Sequence, residues 1–376
     1  MSASDTELSQ KLTQAISQEV PSIFGDGCEL ALIPPQRLDR RYSFMFRFWF
    51  RKPGGDLIPL LVKIPHESWM ETMQQAIESA HIRDVVMNEF ERMTSIAVVI
   101  SEADNPDLFA IRPGSVIPEF NALLMEEIPI RMLKSSLTRP KIMLGMNKDW
   151  QGFERQLKLA GGWLRIIHDR FSSKKAATLK SLKMDEKLET EVDILEGFLT
   201  KPLTKLRGHF LHLYDSLNAV DLPLSCLHND FHLGNIFVTG DGRVGALDPN
   251  WVEDGSVYAD LSTLMIDPIV RKEQVLFQGL SFRPSLRMRY EHAVLQGYYG
   301  VSQYPDPMLD FYCALAVLNK WRMDEERLIA GDSRLFHTGS LLITPLIRDY
   351  FQKLILGYLT RGLNDARVGH EQIQGL

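Results

Sequence analysis

Between Cys226 and Trp251 the chain reads CLHNDFHLGNIFVTGDGRVGALDPNW. Within this stretch Asp230, Asn235 and Asp248 end in carboxylate or amide oxygens. Ile236 to Thr239 and Val244 to Leu247 are short apolar runs of β type, and Gly240, Asp241 and Gly242 between them are a hairpin signal. Asp230 and Asn235 therefore lie on a loop before the hairpin, and Asp248 lies just after it. A hairpin returns its outer ends to one place, so the three side chains can converge. Mg2+ takes such oxygens when it also holds substrate phosphates. A loop carboxylate beside the ion can accept a proton from an incoming hydroxyl. An Asp followed five residues later by an Asn is common by chance, and His228 alone reads as a packed structural histidine. The hairpin and Asp248 are what lift the combination above coincidence.

Those side chains need a framework, and 376 residues are enough for two hydrophobic cores. A composition of 45% hydrophobic and 24% charged residues is ordinary for a soluble protein. The net charge of −6 argues against a nucleic-acid-binding surface, and no nucleic-acid partner is expected. Cys28, Cys226 and Cys313 are far apart, which argues against zinc and a disulfide framework and fits a reducing compartment. The start, MSASDTELSQ, lacks the basic and apolar regions of a signal peptide. No apolar run reaches the length of a transmembrane segment, and a cytoplasmic location is expected.

Periodicity supplies the elements. Glu7 to Glu19 reads as a helix with Leu8, Leu12, Ala15 and Ile16 on one face, stopped by Pro21. Glu29 to Ile33 and Tyr42 to Phe50 read as strands, the second with Tyr42, Phe44, Phe46, Phe48 and Phe50 on one face and Met45, Arg47 and Trp49 on the other. Pro34 to Arg41 is the turn between them, where Arg40, Arg41 and Ser43 either offer donors to an anion or form a basic solvated turn. Leu60 to Ile64 is the next strand, and Lys63 in it must face solvent or meet an anion, because burial without a partner is costly. His81 to Ile96 is a helix whose face of Ile82, Val85, Val86, Phe90 and Met93 includes Glu89, whereas Glu91 falls off it. Leu108 to Arg112 and Ala122 to Glu126 read as strands, and Arg131 to Asn147 as irregular. A helix capped by Asp149 runs to about His168 on the stripe Phe153, Leu157, Ala160, Leu164 and Ile167. Asp185 to Leu217 is helical with a break near Pro202, and from Val275 onward the chain is mostly helical. Lys174, Lys175, Lys180 and Lys183 form a basic segment, read as a solvated face or an attractor of anionic partners.

The segment from His228 to Asp248 resembles the catalytic centre of the aminoglycoside phosphotransferase and choline kinase family, which has the protein-kinase-like fold. His228, Asp230, Asn235 and Asp248 match the family's pattern, with Asn229 in place of its usual glycine. YADLS, Tyr258 to Ser262, resembles the family's helix start carrying a structural Asp. The resemblance reaches roughly from Glu29 to Tyr350 at the level of fold. It implies an α+β, bilobal protein-kinase-like fold: a small N-terminal lobe with an antiparallel sheet and a larger, mainly helical C-terminal lobe. Residues 1–127 would be the nucleotide-binding lobe with an accessory N-terminal helix, and 128–376 the lobe with the catalytic loop and acceptor pocket. The cofactors implied are ATP and Mg2+. Asp230 would be the catalytic base, Asn235 and Asp248 the metal ligands, and His228 and Asp260 structural supports, with Asp260 capping its helix and accepting backbone bonds from the catalytic loop. Lys63, paired with Glu89, would hold the phosphates under the turn of Arg40, Arg41 and Ser43. Ala122 to Ile130 would be the hinge, its Glu126 carbonyl and Ile128 amide bonded to adenine and Met125 at the back of the pocket.

The implied activity is Mg-dependent transfer of the γ-phosphoryl group of ATP to a hydroxyl of a small molecule such as a sugar, amino sugar, aminoglycoside or amino alcohol. Trp251, Glu253 and Asp254, with Trp321, Asp324 and Glu325 on a later helix, would form the acceptor pocket. Carboxylates accept hydroxyl and ammonium hydrogens, and a ring face attracts a cation. The same residues fit ordinary solvated helix faces. An atypical protein kinase is the less favoured alternative, since neither Asp-Phe-Gly nor Ala-Pro-Glu follows Asp248. A nucleotide-binding pseudokinase is argued against by the intact Lys, Asp, Asn and Asp set, and a glycoconjugate-pathway kinase stays open.

Overall fold

The alternation of Phe44, Phe46, Phe48 and Phe50 with Met45, Arg47 and Trp49 builds the strand around which the N-terminal half is organised. A computed structural model describes residues 3–38, 40, 42–137, 147–280, 282–300, 306–330 and 340–374. The chain divides into two compact units, Met1–Ile130 with Thr239–Gly245, and Arg131–Val238 with Ala246–Leu376. The α+β class expected from the sequence is the one observed.

The first unit holds α1 (Ala3–Phe24), β1 (Glu29–Leu30), β2 (Gln36–Arg37), β3 (Ser43–Arg51), β4 (Leu57–Pro65), α2 (Met73–Glu78), α3 (Ala80–Glu102), β5 (Pro113–Ile117) and β6 (Ala122–Glu126). Its antiparallel sheet runs β1-β3-β4-β6-β5, with β2 also on β3. Phe44 pairs with Ile64, Met45 with Lys63 and Arg47 with Leu61, while Lys63 pairs with Leu123 across the next ladder. Cross-strand partners share a face. The four phenylalanines, Leu60, Val62 and Ile64 are therefore on one side, where all are buried. Met45, Arg47, Leu61, Lys63 and Leu123 are on the other.

Several elements differ from the sequence expectation. Helix α1 runs through Pro21 to Phe24 instead of stopping before it. Leu12, Ile16 and Val20 are buried in the sheet's core, and each such side chain stabilises by about 1.5–3 kcal/mol. Pro21 lies in the last turn and removes one hydrogen bond, a cost below the ~3 kcal/mol of a mid-helix proline. The turn Pro34 to Arg41 is not a bare turn, because Gln36 and Arg37 pair with Arg47 and Phe46. Leu108 to Arg112 is not a strand. Leu108 makes an isolated bridge to Val244 and the Phe109 N–H donates to the Val244 carbonyl, so this segment is held by the hairpin tip and the strand begins only at Pro113.

The second unit contains β7 (Ile130–Met132, entered from the first unit), α4 (Lys134–Leu137), α5 (Asn147–Arg170), α6 (Met184–Glu196), α7 (Thr204–Leu217), β8 (Leu224–Leu227), β11 (Val252–Ser256), α8 (Val257–Ile266), α9 (Lys272–Leu276), α10 (Pro284–Tyr299), α11 (Pro307–Ile329) and α12 (Ser340–Gln374), together with the outer ends of the hairpin β9 (Ile236–Thr239) and β10 (Val244–Ala246), whose tip Thr239–Gly245 belongs to the first unit. The irregular segment thus includes a short strand and a helical turn. Helix α5 begins at Asn147, so Asp149 lies inside it and is not its cap. Pro202 falls in the break between α6 and α7, as its missing N–H requires. Helices α5 and α10 approach so closely that a Cβ on Gly297 would stand 2.0 Å from the Lys158 carbonyl oxygen. Between them they bury Trp150, Phe153, Trp163 and Tyr290, and Trp163 packs on His228 and Phe231. Among the described residues no helix is long and apolar enough to cross a membrane.

Candidate active site

The loop from β8 to β9 carries the predicted base. Asp260, fully buried on α8, accepts the His228 N–H on Oδ2 and the Asn229 N–H on Oδ1, both at 2.7 Å. His168 closes the same carboxylate with Nε2 at 3.0 Å, and its Nδ1 lies 2.8 Å from the Tyr298 hydroxyl. Asp260 therefore braces the loop, but it sits in the first turn of α8 and does not cap it; the N-cap is Ser256. One helix length on, Asp267 accepts the Leu233 N–H at 3.1 Å and is paired with Arg271 at 2.8 Å. Two carboxylates seven residues apart lie on one helix face and pin both sides of the loop. Sequence reasoning found the first and missed the second, whose only signal is that spacing.

Asn229 has φ +59. This is the left-handed region, where glycine is the default and Asn is tolerated better than most residues. The departure from the family's glycine therefore leaves the bend intact. His228 is buried against Trp163 and Phe231. Burial is the largest influence on its ring and lowers its pKa despite the nearby Asp260, Asp230 and Asp248, so it is held neutral.

Asp230 and Asn235 are joined directly. The Asn235 amide donates to Asp230 Oδ2 at 2.7 Å and to the Asp230 carbonyl at 3.0 Å. His232 Nε2 lies 3.3 Å from Asp230 Oδ1, and the Gly234 N–H donates to His232 Nδ1 at 2.9 Å. A ring accepting on Nδ1 carries its proton on Nε2, facing Asp230. A Cβ on Gly234 would come within 2.6 Å of that ring, so this position needs glycine. Burial works against the charged form of Asp230, but the bonds from His232 and Asn235 outweigh it and hold the carboxyl below its ordinary range. Sequence reasoning assigned no role to His232, which the structure places against Asp230.

The hairpin is tied back to the loop. The Leu247 N–H donates to the Asn235 carbonyl at 2.8 Å, and the Asn250 N–H to the His228 carbonyl at 2.8 Å. Asp248 lies between these clamps with φ +52, a conformation that non-glycine residues hold only when their surroundings impose it. The structure thus brings Asp230, Asn235 and Asp248 onto one clamped frame. Among the described residues no group of three or more His, Cys, Asp or Glu side chains forms a metal cage. One amide and one carboxylate oxygen fit Mg2+, which completes its shell with waters and substrate phosphates.

In the first unit, Lys63 Nζ lies 2.7 Å from Glu89 Oε1, and both side chains are mostly buried. The Glu127 N–H donates to the Pro59 carbonyl at 2.9 Å. By the alternation of an antiparallel ladder, the Glu126 carbonyl and the Ile128 N–H, one residue to either side, turn away from β4. Arg47, on the Lys63 face, is bidentate to the Glu127 carboxylate, with Nη2 at 2.6 Å from Oε1, and its Nη1 reaches Gln36 at 2.6 Å. Nothing in the local pattern announced this pair. Arg40 is exposed and its N–H donates to the Ser43 carbonyl at 2.9 Å, while Ser43 is buried and thus not presented to solvent as a phosphate donor. Arg41 lies outside the described residues.

The acceptor residues divide. Trp251 packs edge-on to Phe171, with ring centroids 4.7 Å apart. Glu253 is exposed on β11, and Asp254, at a bulge with φ +52, is paired with Lys175. That bond holds the Asp254 carboxyl below its ordinary range. Trp321 and Glu325 do not line an open pocket: both are buried, the indole N–H donates to Glu325 Oε1 at 3.0 Å, and Arg348 is bidentate to the same carboxylate at 2.8 Å. Their hydrogen-bonding capacity is used inside the helical core. Asp324 is paired with Lys320.

Comparison with known proteins agrees with this frame. Residues 155–311, which span the catalytic loop, Asp248 and Asp260, match the model of the phosphotransferase enzyme family. No curated protein gives a significant match by sequence. Among solved structures, an aminoglycoside phosphotransferase from Alicyclobacillus acidocaldarius is similar at a TM-score of 0.52 and 10% identity, over 93% of this chain and 96% of that one. A choline/ethanolamine kinase family protein from Mesorhizobium loti has a TM-score of 0.48 and 16% identity, over 95% of this chain and 99% of that one. A choline kinase from Streptococcus pneumoniae has a TM-score of 0.46 and 11% identity, over 93% and 99% respectively. Over residues 155–311 the match agrees with the resemblance to phosphotransferases read from the motif, and the Alicyclobacillus structure shares the fold.

Proposed function

We propose that this chain transfers the γ-phosphoryl group of ATP to a hydroxyl of a small molecule in a Mg2+-dependent reaction. The observation that carries the reading is the Asp230–Asn235 bond within the clamped loop. Asp230 orients the acceptor hydroxyl and takes its proton as the oxygen attacks phosphorus. The bonds from His232 and Asn235 keep it ionised, the form that can accept the proton. With its amide nitrogen directed at Asp230, Asn235 would hold Mg2+ through its side-chain oxygen, and Asp248 would supply a carboxylate oxygen. Bound there, Mg2+ offsets the charge that builds on the phosphoryl oxygens. Lys63, oriented by Glu89, adds a positive charge to the same task. The Glu126 carbonyl and Ile128 N–H, turned away from β4, offer the acceptor and donor that an adenine edge requires. Trp251, Glu253 and Asp254 remain the acceptor-side residues, which favours a polyhydroxylated or cationic small molecule such as a sugar, amino sugar, aminoglycoside or amino alcohol.

The test is nucleotide turnover against a panel of such acceptors, with phosphorylated product read by mass. Turnover should require Mg2+ and be lost in Asp248→Asn with the melting temperature preserved. Undiminished turnover in that variant, or in excess chelator, would contradict the assignment.

A further inference from the structure

Glu89 meets Lys63 only if α3 holds a fixed position along its own axis as well as against the sheet. Ile82 and Val86 bury the helix in the core, but apolar contact is non-directional and leaves axial sliding weakly restrained. A directional tie comes from Asn121. This residue follows the 3-10 turn Pro118–Phe120, is fully buried, and is held at φ 47, ψ 42. Its Nδ2 lies 3.0 Å from the Ala76 carbonyl, 2.9 Å from the Ile77 carbonyl and 3.0 Å from the Ser79 carbonyl. The first two belong to the last turn of α2, where carbonyls lack the full set of intrahelical partners; that of Ala76 also accepts the Ser79 N–H at 3.4 Å. Ser79 is the N-cap of α3, its hydroxyl accepting the Ile82 N–H at 3.3 Å. Arg83 Nε donates to Asn121 Oδ1 at 3.4 Å, so the orientation of the amide is fixed from both ends. On the strand side, Asn121 immediately precedes β6, in which Leu123 is the register partner of Lys63.

We infer that Asn121 is a positioning residue for the Lys63–Glu89 pair: it locks the start of α3 to the strand beside Lys63, and the helix carries that register to Glu89. A helix behaves as a stiff rod over this span, so a shift at Ser79 arrives at Glu89 almost whole. A slip of about 1 Å takes a 2.7 Å ion pair beyond good hydrogen-bond geometry. The inference rests on the phosphoryl-transfer reading, because that reading gives Lys63 its phosphates.

Asn121→Gly keeps the left-handed backbone without strain and removes the amide; Asn121→Asp keeps the shape and loses both amide N–H donors. Binding is measured for two probes, Mg2+ with adenylyl imidodiphosphate, and AMP. Both variants should weaken the triphosphate analogue by roughly tenfold while leaving AMP within about twofold. In a Glu89→Gln background the same substitutions should cause no further loss. A purely structural role would weaken both nucleotides together and persist in that background, and either result overturns the inference. Should Glu89→Gln itself leave the analogue's affinity unchanged, the assignment of Lys63 in the proposed function fails instead.

Discussion

Asn235 spends both hydrogens of its amide on Asp230, one on the carboxylate at 2.7 Å and one on the carbonyl at 3.0 Å. Asp230 and Asn235, the proposed base and metal ligand, are thereby joined as one unit, and the side-chain oxygen of Asn235 has one direction left to face. Replacing Asn235 by Ala should loosen Asp230 as well as remove a ligand. Turnover should fall by about 10²–10⁴-fold, similar to loss of the base itself, and excess Mg2+ should restore only part of it. Initial rates across a Mg2+ titration would check this.

Asp260 holds two buried N–H groups of the catalytic loop. In Asp260→Asn one of them must face an amide donor. The expected loss is about 2–4 kcal/mol in denaturant unfolding, with turnover falling further than the unfolded fraction explains. Equal stability in the variant would count against the brace.

The stability of α11 should carry a pH signature. Asp306 caps it, accepting the Met308 and Leu309 N–H groups at 3.0 and 3.2 Å. Burial dominates and raises its pKa, against the lowering effect of those bonds and of the Tyr258 and Tyr299 hydroxyls. A folded state that holds its proton more tightly than the unfolded chain loses stability as pH rises from the ordinary carboxylate value through the raised one. Melting temperatures from pH 4 to 8 should therefore show a decline for the wild type relative to Asp306→Asn, since Asn caps equally well and does not titrate. A constant difference across that range would refute it.

Glu325 is a core residue in this structure, bonded to Trp321 and Arg348. Glu325→Gln should cost about 2 kcal/mol, less than breaking a fully buried pair, because Arg348 keeps 28% of its side chain exposed. It should leave the acceptor KM unchanged. A selective rise in that KM would return Glu325 to the acceptor pocket.

What could be read from the sequence was what is local. Asp230, Asn235 and Asp248 lie close together in the chain, and the hairpin between them is written in Gly240, Asp241 and Gly242. Lys63 was legible as a charge inside a short apolar run and Glu89 as one inside a helical face; the resemblance implied their pairing, and the ion pair forms. Arg47 and Glu127 were not, because a pair 80 residues apart leaves no local trace. Trp321 and Glu325 were legible as residues of one helix, but nothing local says what covers them, and α12 does so through Arg348 and Phe351. The length of α1 was misread because propensity weighs Pro21 and cannot weigh the burial of Leu12, Ile16 and Val20.

The most direct measurement follows a labelled γ-phosphoryl group from ATP into a panel of sugars, amino sugars, aminoglycosides and amino alcohols, with wild type and Asp230→Asn side by side. Nucleotide affinity is measured on both. The predicted result is label in a small-molecule hydroxyl with the wild type, a loss of about 10²–10⁴-fold in the variant, and equal ATP binding by the two. Equal label transfer by the variant, or label found on a protein serine and on no small molecule, would contradict the account.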